Sequence, residues 1–401
     1  MKIKIYLAIL LVAWPVILTA QEKEKEKSLE IYGFVMTDAG YNFGQTDPAW
    51  FDVMRTSKLP AYKNQWGTDG NAYFSVRQTR FGIKSYNKTP LGDLKTIFEF
   101  ELFGTGVDAG QTTLRLRHAY GELGKFGVGQ YWSPFMDIDV FPNTVEYWGP
   151  AGMVFFRNIQ VRYMPIQGDT RLTFALERPG ASADQGEYAG RIELNNVRPR
   201  FKLPDLSGEF RYGKSWGYVE LAGILRKIAW EDQNNNPTYD LSDSKVGWGL
   251  NLTTNIKLGG STTFRGQFAY GQGIENYMNE GPADIGVKAN PGHPEQPLLG
   301  VPLPVTGIVA FVDHNWNEKF SSSAGWSYVH IDNTEASASS SFKTGNYIVG
   351  NLLYTPVQKV MAGVELQYGN RENFTDGFSS SAIHLQFSFK YNFSYSLYQN
   401  D

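Results

Sequence analysis

The chain has no cysteine in its 401 residues, so no disulfide staples it and no thiolate site equips it. It lacks a basic surplus too: 37 Lys and Arg stand against 40 Asp and Glu, which excludes the electrostatic footprint of a nucleic-acid binder. Past residue 20, no apolar run approaches the roughly 20 residues of a membrane-spanning helix. The five histidines show no metal-ligand spacing. Glycine clusters such as Gly266–Gly273 lack the lysine and following helix of a phosphate loop. Neither a metal nor a cofactor is expected.

What is present begins with a leader. Lys2 and Lys4 precede an apolar run from Ile5 to Leu18, and Ala20 stands before Gln21. That is the layout of a secretory signal peptide over residues 1–20. Its removal leaves 35 basic against 40 acidic residues, a formal charge of −5. Residues 21–28, QEKEKEKS, read as a charged tail with nothing to bury, and no folded plug is expected before the first strand. A mean hydropathy of −0.34 fits a large secreted β protein or a barrel with a wet lumen, and composition leaves both open.

From Leu29 onward the pattern has a period of two. In LRLRHAY (114–120), Leu114 and Leu116 share one strand face and Arg115 and Arg117 the other. In AIHLQFSFKYNFSY (382–395), Ile383, Leu385, Phe387, Phe389, Tyr391, Phe393 and Tyr395 oppose His384, Gln386, Ser388, Lys390, Asn392 and Ser394. Trp216, Tyr218, Trp326, Tyr328 and Tyr368 stand near strand ends, where interfacial girdles are expected. Seven short turns (near 87–92, 124–125, 165–169, 213–216, 258–261, 315–319 and 356–358) interleave with eight long segments. The long ones span 44–71, 105–110, 132–156, 179–205, 230–244, 275–302, 332–344 and 371–380. A sandwich has no reason to sort its connections in this way. The pattern predicts an all-β, antiparallel transmembrane barrel of about 16 strands over 29–395, with short periplasmic turns, long extracellular loops and a tail at 396–401.

VRQTRFGIKS (76–85), LRLRHAYGEL (114–123), GVGQYWSPFMDIDVFPNTVEYWGP (127–150) and VRYMP (161–165) resemble the DcaP-like family of trimeric outer-membrane porins. The resemblance spans most of the chain. It implies a sixteen-stranded barrel in outer-membrane lipid, a homotrimer, and passive uptake of small, mostly anionic solutes such as dicarboxylates. Two features depart from the family. Gln21–Ser28 is too short for the coiled coil some members carry, and residues after Phe393 displace the usual terminal aromatic.

A lumen this wide needs a loop to narrow it. The third long loop, Trp132–Phe156, carries Asp137, Asp139 and Glu146 among prolines and aromatics, and its acids are expected to point into the constriction. By strand parity Arg115, Arg117, Arg162 and Arg265 face the lumen. Arg77 and Arg80 both do so only with a bulge near Gln78, and the parity switch from Phe74 and Val76 to Phe81 and Ile83 predicts one. Arginine suits carboxylate solutes because its planar fork donates two parallel hydrogen bonds. A structural reading competes: folding the hairpin about residue 108 sets Arg115 opposite Glu101 and Arg117 opposite Glu99. His118 falls on the outward side by parity. The functional expectation is a porin for small anions. The alternatives are a phosphate-selective or general porin, a barrel enzyme, for which no Ser or Asp stands beside a His in any local motif, and an adhesion barrel, which would show repetitive loops.

Overall fold

The computed structural model describes residues 27–234 and 236–399. The expected signal peptide and the tail up to residue 26 lie outside the described residues. Strands of alternating polarity form one closed sheet. Its first half is β1 (Lys27–Asn42), β2 (Asn71–Ser75), β3 (Arg80–Thr89), β4 (Gly92–Phe103), β5 (Thr112–Leu123), β6 (Phe126–Trp132), β7 (Arg157–Ile166) and β8 (Arg171–Glu177). Two short loop strands follow, β9 (Ala183–Asp184) and β10 (Val197–Pro199). The wall continues with β11 (Asp205–Lys214), β12 (Gly217–Asp232), β13 (Asp243–Lys257) and β14 (Thr262–Gln272). Loop strands β15 (Ile285–Ala289) and β16 (Leu298–Pro302) pair with β9 in a small separate sheet. The last staves are β17 (Pro304–Asn315), β18 (Phe320–Ile331), β19 (Phe342–Tyr354), β20 (Val360–Asn373) and β21 (Ser379–Gln399).

Eighteen strands pair around this sheet. β2 and β3 are halves of one stave against β1, and β10 only extends the extracellular end of β12, so the wall has sixteen staves. β1 and β21 close it, from Lys27↔Gln399 to Asn42↔His384. Closure pairs the strand edges that lipid could not satisfy.

The expected bulge is present. Asp38 pairs with Ser75 and Phe34 with Arg80, so Val35–Thr37 of β1 oppose one residue more, Val76–Thr79. Thr79 N–H bonds the Val76 carbonyl at 3.0 Å, and its hydroxyl accepts from Met36 N–H at 3.2 Å. The short turns and long loops sort to opposite rims as the sequence predicts. Gly92 and Gly124 meet at adjacent periplasmic turns with φ of 114° and 57°, and a Cβ on Gly92 would lie 2.8 Å from Gly124 Cα. The barrel ends differ slightly from the expected 29–395: Lys27–Leu29 find partners in Leu397–Gln399 and in Ser85–Asn87, so the last strand runs on past Tyr395.

Outward positions are apolar and exposed, as at Ile383, Phe387, Phe389, Tyr391 and Phe393, while His384, Gln386 and Ser388 on the opposite face of the strand are buried inside. The main hydrophobic core lies in the lumen. There Met54, Leu59, Phe135, Met136, Val140, Met153, Ile274, Tyr277 and Met278 from three loops pack on inward Val305, Val309, Phe311, Val329, Tyr347 and Val349. A purely polar lining would leave those loops nothing to pack against.

Candidate functional site

The third loop leaves the wall where β6 stops. Ser133 Oγ donates to Glu177 at 2.6 Å, and Asp137 Oδ1 caps the short turn Ile138–Val140 by accepting from Asp139 N–H at 3.0 Å. Asp137 is fully buried. It takes the Arg211 guanidinium at 2.6 Å, Tyr218 Oη at 2.6 Å and Thr253 Oγ1 at 2.7 Å. Tyr218 therefore points inward rather than joining the outer girdle. Farther on, Gly152 lies flat on β17 and β18, its N–H bonded to Ser327 Oγ at 2.8 Å. A Cβ there would collide with the Tyr328 carbonyl and the Ile308 backbone.

Glu146 accepts backbone N–H groups from Met54 at 3.3 Å, Trp148 at 2.9 Å and Gly149 at 2.5 Å. Burial pushes its carboxyl well above the usual range, partly opposed by those N–H groups, with Glu365 nearby adding to the rise. The expectation that the loop acids point into the pore therefore fails for two of them. Asp137 and Glu146 are buried anchors, because the folded-in loop has unsatisfied donors on its wall side. Asp139 alone stays half exposed, paired with Arg211 at 2.6 Å and Arg171 at 3.9 Å.

On β3–β7 a guanidinium cluster surrounds two carboxylates. Arg117 is buried and reaches Glu99 at 2.6 Å and Glu101 at 2.5 Å. Arg80 reaches the same pair at 3.8 and 3.4 Å. Arg115 and Arg157 each lie 3.6 Å from Glu101. Tyr147 Oη donates to Glu101 and Tyr32 Oη to Glu99. Four guanidiniums thus share two carboxylates, leaving two positive charges. Arg115 and Arg80 carry the most exposed of these side chains, at 32% and 24%. The expected Arg115–Glu101 pairing holds, but Glu99 faces His118, because a bulge leaves Arg117 without an opposite residue. The same bulge turns His118 inward, where it is buried against Tyr131 and Trp132, correcting its outward parity.

The other predicted arginines are spread around the lumen. Arg77 is buried, 2.5 Å from Asp52 and stacked 3.9 Å from the Phe103 ring centre. It ties the first loop to the wall and does not face the opening. Arg162 bonds Gln160 and the Trp132 carbonyl. Arg265 pairs with Asp313 and the Asp139 carbonyl.

Several residues escaped the sequence reading. Arg171 and Arg211 sit among Asp137, Asp139, Glu209 and Glu220. Arg157 is a loop-end residue. Arg55 lies 4.2 and 3.9 Å from the ring centres of Trp50 and Trp148. The first and sixth loops fold inward as well as the third. One signal was available: PVTGIVAFV (304–312) is apolar on both faces, so something had to cover its lumen side.

A cavity of about 570 Å³ on the extracellular side is lined by Trp50, Arg55, Arg115, Trp148 and Arg157. One of about 470 Å³ is lined by Arg80, Arg117 and Lys390. Tyr147 and Phe155 border both, beside the arginine cluster.

The DcaP channel of Acinetobacter baumannii is similar over 92% of this chain and 97% of its own, at 20% identity and a TM-score of 0.77. An anion-selective porin of Comamonas acidovorans matches 92% of this chain and 100% of its own, at 10% identity and a TM-score of 0.59. A trimer form of OmpT, an outer membrane protein of Vibrio cholerae, matches 92% and 99%, at 12% identity and a TM-score of 0.54. No curated protein matches the chain in sequence. Likeness at these identities carries the fold. The DcaP outer membrane protein family itself matches residues 19–393. A closed sixteen-stave barrel with an apolar exterior and a loop-narrowed lumen is an outer-membrane channel, and by that match the chain belongs to the DcaP outer membrane protein family.

Proposed function

We propose that the channel passes small hydrophilic solutes by diffusion, with a preference for small organic anions such as dicarboxylates. The observation that carries this reading is the charge balance at Tyr147, where Arg80, Arg115, Arg117 and Arg157 outnumber Glu99 and Glu101. Unneutralised guanidiniums lining a narrow pore favour anions, and the two most exposed lie one in each cavity. A second reading has support of its own. Farther around the wall, two guanidiniums (Arg171 and Arg211) stand among four carboxylates. Such a division of charge orients dipolar solutes and favours a more general porin, phosphate-selective or not. We also propose a homotrimer, the form named for the similar Vibrio cholerae structure.

Reversal potentials in planar bilayers across a KCl gradient, followed by block with succinate, test the selectivity. Anion selectivity with succinate block is the expected result. A cation-selective reversal potential would sink the anion reading in favour of the general porin.

A further inference from the structure

The outer face of the extracellular rim is uneven in charge. Leu176, Leu206 and Leu225 make one exposed rung across β8, β11 and β12, with Leu206 paired to both of the others. Trp248 pairs with Leu225 at the same level, and its ring packs edge-on against Tyr270 at 5.9 Å. Aromatic rings so placed mark the edge of the hydrocarbon. Above the rung the polarity changes at once. Arg178, two residues beyond Leu176, continues the outward face of β8, its N–H bonded to the carbonyl of outward Ile159 at 2.8 Å. Lys227 stands two residues beyond Leu225 on the outward face of β12. Two residues carry a strand about 7 Å.

The fourth long loop adds three more cations. β10 pairs with the end of β12 so that Arg198 lies opposite Glu231, on the face that carries Lys227. Arg200 follows, its N–H on the Ala229 carbonyl at 2.8 Å, and then exposed Lys202. The alternate residues Val197, Pro199 and Phe201 turn the other way, into an apolar cavity of about 130 Å³ shared with Trp230 and Leu298. That anchorage holds the basic side chains outward.

Arg178, Arg198, Arg200, Lys202 and Lys227 therefore share a patch two stave spacings wide, about 10 Å. Among the described residues their only ion pair is Arg200 with Glu231, at 2.6 Å. Five cations against one acid leave a surplus of four like charges, which calls for an anionic occupant. Other parts of the rim differ: His330 and Asp332 follow outward Tyr328, and Asn370 and Glu372 follow outward Tyr368. The occupant must also set carbon on the leucine rung and on Leu203, exposed beside it.

We propose that this patch seats lipopolysaccharide, the phosphorylated glycolipid of the outer leaflet, with its phosphates on the five cations and its acyl chains on Leu176, Leu206 and Leu225. The headgroup phosphates of that leaflet lie just above the aromatic girdle, where these cations stand. Arginine forks hold phosphate through two parallel hydrogen bonds, and each basic group adds to the attraction of an anionic membrane surface. The site is on the outside of the wall and does not depend on what the pore conducts.

The probe is bisphosphorylated lipid A, titrated into the delipidated full-length channel in mild detergent and read by native mass spectrometry. The patch variant carries Arg178→Gln, Arg198→Gln, Lys202→Gln and Lys227→Gln. The control carries Lys125→Gln, Lys214→Gln, Lys257→Gln and Lys319→Gln, four exposed lysines of the periplasmic rim. Heat-modifiable migration and single-channel conductance verify that each is folded. Wild type and control are expected to bind saturably and alike, and the patch variant about tenfold or more weaker. The milder pair Lys202→Gln and Lys227→Gln should fall between, and lipid A stripped of its phosphates should bind poorly to all. Unchanged affinity in the patch variant overturns the site, as does an equal loss in the control or undiminished binding of the dephosphorylated lipid. Displacement of lipid A by inorganic phosphate would show a free-ion site and overturn the lipid assignment.

Discussion

Replacing Arg115 by Ser removes the most exposed guanidinium of the cluster while leaving the backbone pairing with Glu101 in place. The cluster falls from two net positive charges to one. An ion passing about 7 Å away gains or loses roughly 0.6 kcal/mol in a water-like dielectric, or about 0.25 kcal/mol after screening over a Debye length of about 8 Å. Anions lose what cations gain, so the permeability ratio shifts by about 0.5 kcal/mol, roughly twofold toward cations. A dielectric half that of water doubles the exponent, to about fivefold. Reversal potentials under a KCl gradient read this directly. The charge balance makes a further demand. Glu101→Gln should shift selectivity the other way, toward anions, and Arg115→Ser with Glu101→Gln should return it close to the wild type. Unchanged reversal potentials in both single variants would refute the idea that this cluster's net charge governs the pore.

Arg211→Met should loosen the third loop, since it leaves Asp137 buried without its cation, a loss of ~3–5 kcal/mol when one partner of a buried pair is removed. Single-channel traces should turn noisy, with frequent closures, and Arg211→Lys should fall between; a quiet Met variant would mean that Tyr218 and Thr253 suffice. Glu146 sets a pH dependence. Its folded pKa is raised by burial, so the folded state holds a proton that the unfolded chain releases above about 4.5. That contribution to stability is full below this pH and is lost as pH rises toward the folded value. Thermal unfolding followed from pH 5 to pH 8 should therefore show falling stability, less steep in Glu146→Gln. An unaltered slope in that variant would assign the effect to another acid, such as buried Glu275, which burial raises likewise.

Much of the wall was legible because period two is a local property. Leu114 and Leu116 against Arg115 and Arg117, or Phe387 against Ser388, follow from the pleat alone. The bulge near Gln78 was legible for the same reason, as a switch of parity. The bulge at Arg117 was not: it displaces one residue on a strand whose neighbours, Leu116 and Ala119, still read as regular alternation, and so His118 was placed on the wrong face. Tyr218 was misplaced because its position near a strand end suggested an interface, although its parity with Glu220 puts it inside.

The sequence by itself determined the number of staves, the direction of each face, the sorting of turns from loops and the family, since all of these are written in short-range pattern or in matching segments. Only the tertiary structure decided which charges are free. Asp137 meets Arg211, Arg77 meets Asp52 and Arg157 meets Glu101 because closure brings loops against distant staves, and no strand period encodes what will cover its inner face. The same insertion of the third loop that narrows the pore also ends β6 at Trp132 and leaves Thr112–His118 of β5 without a strand on that flank. Constriction and open edge thus share one cause, which parity along a single strand could not reveal.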